Sequence, residues 1–234
     1  ENTYIVDFGG NIGAYRKLRN VCACYDNSNE EDIKRLFRTI DARLAENAQQ
    51  LDSRNYYDVV EKARDQAPPH LTLIIENVNA FLLDERYSSY LDRVTRLCRD
   101  GLSKGLTVVI TGNDASGINR LLKFFGQKIA FELPQEAYYD IFNAKVVKPM
   151  RAPGRGLVDL DANSYEFQCF LPFPAEEDEL PLQALVEQTN RFPNKHKMIS
   201  FDSVLTEENF ERYCTVNQTE QRQPGDIVVG LDYY

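Results

Sequence analysis

Short apolar runs that alternate with helix-like segments are the feature that most limits what this chain can fold into. Residues 71–75 (Leu-Thr-Leu-Ile-Ile) and 107–111 (Thr-Val-Val-Ile-Thr) are apolar almost throughout, which is typical of strands buried on both faces of a parallel sheet. Residues 3–8 and 128–133 are also rich in apolar side chains. Because helical patterns separate the runs, the sequence predicts an α/β fold in which all four are parallel strands of one sheet, with helices on both faces.

The predicted helices occupy the segments between these strands. The first begins at residues 28–31 (Ser-Asn-Glu-Glu), where a capping residue is followed by an acidic side chain. Apolar residues then recur at helical spacing for about five turns. Further helices are predicted at residues 85–102, 118–125, 135–142 and 182–189.

The alternation of strands and helices ends near Lys148. Residues 157–160 and 165–171 alternate between apolar and polar side chains around a turn-rich segment, and this predicts a β-hairpin. Prolines and the acidic run at residues 176–179 then indicate an exposed linker.

The domain organisation follows from this change of pattern. We predict a core at residues 1–172 and a C-terminal helix and linker at residues 173–234, with candidate strands at residues 198–201 and 226–229. The chain starts directly in strand pattern at Glu1, without an initiator methionine or a signal peptide. We therefore expect it to be part of a longer protein.

The charge of the chain argues against nucleic acid as its main ligand. Its 234 residues include 27 Lys and Arg against 36 Asp and Glu, a formal net charge of −9 at pH 7. An acidic surface repels a phosphate backbone, so we expect no binding of free nucleic acid. The longest apolar runs are also far shorter than the ~18 residues of a membrane-spanning helix.

The cysteines give no sign of a metal or redox site. The five cysteines are odd in number and scattered along the chain, and their spacing differs from the usual zinc motifs. Buried free thiols in a reducing compartment are therefore the favoured interpretation.

Polar residues stand where the predicted parallel strands end. Asp7 follows the first strand, Glu76 and Asn77 follow the second, and Thr111 closes the third. Ligands of α/β sheets bind at the carboxyl ends of the strands. These four residues, together with Gly112 and Asn113 after the third strand, are therefore the first candidates for a functional site.

The segment that ends in Glu76 and Asn77 has the form of a Walker B strand. In P-loop ATPases an acid at the end of such a strand orients magnesium, and a following glutamate polarises the attacking water. Asn77 cannot accept a proton, so a general base is lost at that position. The phosphate-binding motif Gly-x-x-x-x-Gly-Lys-Ser/Thr does not occur in the sequence, and an ordinary structural strand remains an alternative.

Several segments occur in the order found in one known family: residues 4–9 (Tyr-Ile-Val-Asp-Phe-Gly), 18–21, 73–81, 108–111, 153–158 (Pro-Gly-Arg-Gly-Leu-Val) and 166–168 (Glu-Phe-Gln). Over residues 3–171 the chain resembles the ATPase modules of the FtsK/SpoIIIE family. Within that family it is most similar to the EssC/EccC-like membrane ATPases of type VII secretion.

This resemblance implies a three-layer P-loop NTPase fold of the RecA/FtsK type, with a central, mainly parallel sheet. It also implies that the Walker A strand, loop and helix lie ahead of Glu1, and that the C-terminal linker leads toward a following module. ATP and Mg²⁺ are the implied cofactors.

The resemblance also assigns roles to individual residues. Glu76 corresponds to the Walker B acid and to a magnesium ligand, Asn77 to the catalytic glutamate, and Thr111 to the polar end of the sensor-like strand. Three further positions are implied to contact the nucleotide: Asp7, Arg155 and Gln168.

The implied function is that of an ATP-binding, weakly hydrolysing module of the type VII protein secretion motor, which couples nucleotide state and substrate recognition to protein export. The implied partners are neighbouring ATPase modules of the same chain and secreted WXG100-type substrate proteins, within an oligomer on the cytoplasmic side of a bacterial cell membrane. Two alternatives stay open: a DNA translocase module of the FtsK/SpoIIIE type, and a pseudo-ATPase that serves only in interactions.

Overall fold

A four-stranded parallel sheet forms the centre of the molecule. The computed structural model describes residues 2–133, 135–142, 148–160, 163–170 and 180–189, together with Met198 and Thr206. The strands of the parallel sheet stand in the order β2-β1-β3-β4. Their bounds are Asn2–Asp7 for β1, Val21–Asp26 for β2, Leu71–Glu76 for β3 and Leu106–Ile110 for β4.

A smaller antiparallel sheet lies beyond the parallel one in the sequence. It contains β5 (Ile129–Ala130), β6 (Arg155–Leu160) and β7 (Asn163–Gln168), in that order. Strands β6 and β7 form the hairpin that the alternating pattern predicts. Ala130 and Leu157 are buried in a small separate cluster with Tyr139 and Phe142.

Six α-helices accompany the sheets in the described residues. They are α1 (Glu30–Leu51), α2 (Tyr56–Ala63), α3 (Val78–Leu83), α4 (Tyr90–Asp100), α5 (Asn119–Leu122) and α6 (Leu180–Thr189). Short 3-10 segments occur at Gly13–Lys17, Arg64–Gln66, Leu102–Lys104 and Glu136–Ile141. In the described residues no helix is both long enough and apolar enough to cross a membrane.

Alternate residues of each strand point to opposite faces of the parallel sheet. Helices cover both of these faces. On one face Tyr4 and Val6 of β1 join the main core. That core also holds the apolar stripes of α1, α3 and α4. On the other face Ile5 packs with Leu18, Val21 and the half-buried residues of α6. The chain therefore has an α/β fold of three layers, as predicted.

Helix α1 is the longest element, and its sequence explains both its start and its buried face. Asn29 caps its first turn by accepting a hydrogen bond from the backbone N–H of Asp32 at 3.3 Å, which satisfies one of the free donors of a helix start. Its buried residues recur at helical spacing: Ile33, Leu36, Phe37, Ile40 and Leu44. This face supplies the largest contribution of a single helix to the core.

A cluster of aromatic rings joins the residue after β1 to α1, α3 and the turn before α4. The ring of Phe81 lies 5.2 Å from that of Phe8, 6.0 Å from that of Phe37 and 5.1 Å from that of Tyr87, measured between centroids. Phe37, Phe81 and Tyr87 are fully buried. Rings at these separations add to the stabilisation that comes from burial alone, so the cluster anchors α3 directly behind the strand ends.

One strand prediction is wrong. Residues 128–133 do not join the parallel sheet, because only Ile129 and Ala130 form a strand, and they pair antiparallel with Val158 and Leu157 of β6. Ala130 is buried, whereas Ile129 remains 55% exposed. A strand with one buried face is typical of an antiparallel sheet rather than of the centre of a parallel one.

The sequence interpretation also missed β2 and misplaced several helix ends. Val21–Asp26 pairs parallel with β1 and occupies the edge of the sheet. The helix predicted at residues 85–102 begins only at Tyr90, and the one predicted at residues 118–125 has a single turn. The segment at residues 135–142 contains a 3-10 helix instead of an α-helix.

The remaining predictions for the C-terminal part lie largely outside the described residues. The strands predicted at residues 198–201 and 226–229 fall there, except for Met198, which is not in a strand. The backbone N–H of Met198 donates a hydrogen bond to the carbonyl of Cys22 at 2.8 Å. The division at residues 172 and 173 stays a prediction.

The aromatic cluster gives a direct test of the core. We expect Phe81→Ala to lower the free energy of unfolding by about 3–5 kcal/mol, because it leaves a cavity between buried rings. Leu83→Ala lies two residues away in the same helix at a side chain that is 82% exposed, and it should change stability by less than about 0.5 kcal/mol. Urea denaturation followed by circular dichroism measures both, and equal losses would contradict the assigned core.

Candidate functional site

The carboxyl ends of β1, β3 and β4 meet at one edge of the parallel sheet. Asp7, the last residue of β1, pairs in register with Glu76, the last residue of β3. Thr111 follows β4 directly, and its backbone N–H donates to the carbonyl of Ile75 at 3.0 Å. The structure therefore brings together four of the six residues to which the resemblance assigns a role: Asp7, Glu76, Asn77 and Thr111.

Asp7 holds the backbone of the loop that follows β1. Its carboxylate accepts hydrogen bonds from the N–H groups of Gly10 at 2.8 Å, Asn11 at 3.2 Å and Ile12 at 3.2 Å. The side chain is buried, with 3% exposed. Because buried carboxylates need such partners, the loop at residues 9–13, hereafter the glycine loop, and Asp7 stabilise each other.

The Glu76 carboxylate lies against this glycine loop. Its Oε1 accepts a hydrogen bond from Nδ2 of Asn11 at 3.3 Å. Its Oε2 is buried and has no hydrogen-bond partner. A Cβ atom at Gly9 would fall well inside van der Waals contact with both carboxylate oxygens, so any larger residue at that position would displace the carboxylate.

Asn77 adopts a left-handed backbone conformation, with φ 54° and ψ 61°. Asparagine tolerates this region better than most residues. Its side-chain oxygen accepts a hydrogen bond from the N–H of Ala80 at 3.3 Å and so caps helix α3. The residue that the resemblance matches to a catalytic glutamate is thus engaged in starting a helix.

Thr111 and Asn79 fix the segment that follows β4. The hydroxyl of Thr111 accepts a hydrogen bond from the backbone N–H of Asn77 at 3.0 Å. Nδ2 of Asn79 donates to the carbonyls of Asp114 at 3.3 Å and Ser116 at 2.9 Å. These contacts connect the ends of β3 and β4 through side chains as well as through the strand ladder.

Arg155 and Gln168 lie in the antiparallel sheet, where they face each other across β6 and β7. Nε of Arg155 is 3.5 Å from a carboxylate oxygen of Glu166, and Nε2 of Gln168 donates to the carbonyl of Pro153 at 2.9 Å. All of these partners belong to the hairpin or to the turn before it. The two residues therefore stabilise the hairpin, and their implied nucleotide contact stays a prediction.

The ends of β1, β3 and β4 offer one carboxylate ligand, Glu76, to a magnesium ion that would be shared with a phosphate. Mg²⁺ in nucleotide sites is usually held by one or two carboxylates, phosphate oxygens and water. Glu76 provides one carboxylate with an oxygen that lacks a partner. In the described part of the chain no group of three or more His, Cys, Asp and Glu side chains could hold a metal alone, so phosphate and water would complete the coordination.

Sequence reasoning missed two residues of the site, Asn11 and Asn79. Both are asparagines next to positions that the sequence did single out, and each contacts a segment that is distant in the sequence. The glycine-rich composition of residues 9–13 was the only local signal. It indicates close backbone approach, but not which side chain approaches.

Asn77 allows a test of local strain and capping. We expect Asn77→Ala to lower the free energy of unfolding by about 2 kcal/mol, because alanine loses the cap and is strained at positive φ. Asn77→Gly keeps the permitted backbone and should cost only about a few tenths of a kcal/mol. Thermal or urea unfolding compares the two variants, and an alanine variant as stable as the glycine variant would contradict the left-handed cap.

Comparison with known sequences identifies no relative. The chain matches no protein-family model and no curated protein. What is known about its relationships therefore comes from solved structures.

Several solved structures have the same fold. EssC (ATPases 2 and 3) from Geobacillus thermodenitrificans matches with a TM-score of 0.75 and 18% identity, over 91% of this chain and 42% of that chain. EccC (ATPases 2 and 3) from Thermomonospora curvata, in complex with a signal sequence peptide, matches with a TM-score of 0.66 and 22% identity, over 88% and 40%. The pCW3 conjugation coupling protein TcpA with ATPγS matches with a TM-score of 0.59 and 18% identity, over 80% and 56%.

The present chain spans about two fifths of the length of the EssC and EccC structures. Those structures each contain two ATPase modules, so the match covers part of a tandem array. The resemblance suggested by the sequence motifs is confirmed at the level of the fold: this chain has the fold of the EssC and EccC ATPase modules.

Proposed function

We propose that this chain is a degenerate ATP-binding module of a type VII secretion motor. It couples the nucleotide state of the motor to the recognition of exported proteins, and it hydrolyses ATP weakly or not at all. The fold shared with EssC and EccC ATPase modules supports a role in a type VII secretion system. The hydrogen bond made by the Asn77 side chain supports the loss of catalysis.

The observation that carries the proposal is the side chain of Asn77. It stands directly after the strand-end acid Glu76, where an ATPase needs a base for the attacking water. An amide cannot take that proton, and this amide already accepts the hydrogen bond that starts helix α3. The position is therefore used for structure rather than for proton transfer.

Nucleotide binding is supported by the strand-end carboxylate and by the likeness to TcpA, which was solved with ATPγS. When bound, Mg²⁺ would neutralise charge on the phosphates. Glu76 would hold it directly or through water, and Thr111 would keep the end of β4 in place by its bond to the backbone of Asn77. Asp7 contributes by fixing the glycine loop.

The proposed partners are exported proteins of the WXG100 type and neighbouring ATPase modules in an oligomeric motor. The EccC structure with a signal sequence peptide supports the first partner. The two-module structures of EssC and EccC support the second.

We place the module on the cytoplasmic side of the bacterial membrane. The four cysteines among the described residues are free, as in proteins of a reducing compartment. Burial raises the pKa of the Cys98 thiol to about 12, so this thiol stays protonated and unreactive near neutral pH.

A second candidate is an interaction module that has lost catalysis altogether. The engaged side chain of Asn77 favours it as much as it favours weak hydrolysis. ATP binding distinguishes the two candidates, since the interaction module would bind no nucleotide.

We expect ATP hydrolysis to be slow, by about 10²–10⁴-fold relative to a module with an acid after Glu76, because the general base is missing. Residual turnover should fall further in Glu76→Gln, and the exposed surface change Glu85→Gln should leave it unaltered. Phosphate release and binding of a fluorescent ATP analogue measure the two steps on the longest form of the protein that can be purified. Fast turnover that survives Glu76→Gln would reject the proposal.

We also expect no binding to duplex DNA at physiological salt, although TcpA acts in conjugation. Binding to duplex DNA depends mainly on cationic side chains that displace counterions from the phosphates. The net charge of −9 opposes such binding. A mobility-shift titration with a random duplex checks this at several salt concentrations. A shift at micromolar protein that weakens steeply with salt would instead support a DNA translocase.

A further inference from the structure

The glycine loop is fixed at both ends by charged side chains. Asp7 accepts hydrogen bonds from three of its backbone N–H groups. Beyond it, Nε of Arg16 donates a hydrogen bond to the carbonyl of Gly13 at 2.9 Å. The loop is therefore held in one closed arrangement although it is rich in glycine and largely exposed.

In this arrangement the loop covers the Glu76 carboxylate. Oε1 is taken by the amide of Asn11. Oε2 is buried without a partner, and Gly9 lies directly against both oxygens. A buried carboxylate oxygen without a hydrogen bond is costly, so the closed loop keeps Oε2 of Glu76 in a state that a cation would improve but reaches only after the loop moves.

We propose that Asn11 withholds Glu76 from a divalent cation, and that the glycine loop must release the carboxylate before a cation binds. This inference rests on the proposed ATP-dependent function and adds to it a reason for low activity that is independent of Asn77. Asn11 acts through Glu76 and is a positioning residue.

The residue types agree with such a releasable contact. The bond between Asn11 and Glu76 is 3.3 Å long and exposed to solvent, so it is weaker than a buried charged hydrogen bond. Asn11 is itself exposed, and nothing in the core depends on it. Removing its side chain should therefore free Oε1 of Glu76 and loosen the loop without unfolding the chain.

The test measures binding of Mn²⁺ alone, as a probe for a divalent cation, by electron paramagnetic resonance of the free ion. We expect Asn11→Ala to bind Mn²⁺ about fivefold more tightly than the natural chain, because it removes the competing hydrogen bond. Gly9→Ala should act in the same direction, because its methyl group displaces the carboxylate. Asn119→Ala, at an exposed position of α5, is the matched control and should leave the affinity unchanged.

Two further measurements show which part of the proposal succeeds or fails. Adding Glu76→Gln to Asn11→Ala should abolish the gain in Mn²⁺ affinity. Amide hydrogen exchange at residues 10–12 should be faster in Asn11→Ala than in the natural chain. Equal Mn²⁺ affinity in the natural chain and Asn11→Ala, or unchanged exchange in the loop, would overturn the inference and leave the ATP proposal to its own test. Absence of Mn²⁺ binding in every variant would overturn both this inference and the cation role of Glu76.

Discussion

The parallel pairing of β1 with β3 is the interaction on which the rest of the structure depends. Its register places Asp7 beside Glu76, and the alternation along β1 buries Val6 in one core and Ile5 in the other. A shift of one residue would exchange the two faces of the strand. The same pairing therefore holds the three layers together and brings the two acids to one edge of the sheet.

The two acids at this edge have different surroundings and hence different roles. Asp7 is surrounded by backbone donors, which satisfy its charge and make it a structural residue. Glu76 has one amide partner and one oxygen without any. A buried polar atom without a partner calls for an explanation such as a bound ion or water, and this difference between the two acids is the reason for choosing Glu76 as the ligand-facing one.

Much of the central sheet could be predicted from local pattern. The run at residues 71–75 is apolar on both faces and was assigned correctly, whereas β2 was missed because Cys22, Ala23 and Cys24 are small residues with a weak strand signal. The run at residues 128–133 looked similar but pairs with the distant β6. Pairing partners are decided by contacts between segments far apart in the sequence, which local pattern does not contain.

The sequence by itself determined the chemistry available at the site: a carboxylate at Glu76, an amide that cannot act as a base at Asn77, and a glycine at position 9. Only the tertiary structure decided that Asn11 reaches Glu76, since 65 positions separate them in the chain. It also decided that Arg155 faces Gln168 across the two strands of the hairpin. Residue type sets what a side chain can donate or accept, but strand register and loop closure set which partner it meets.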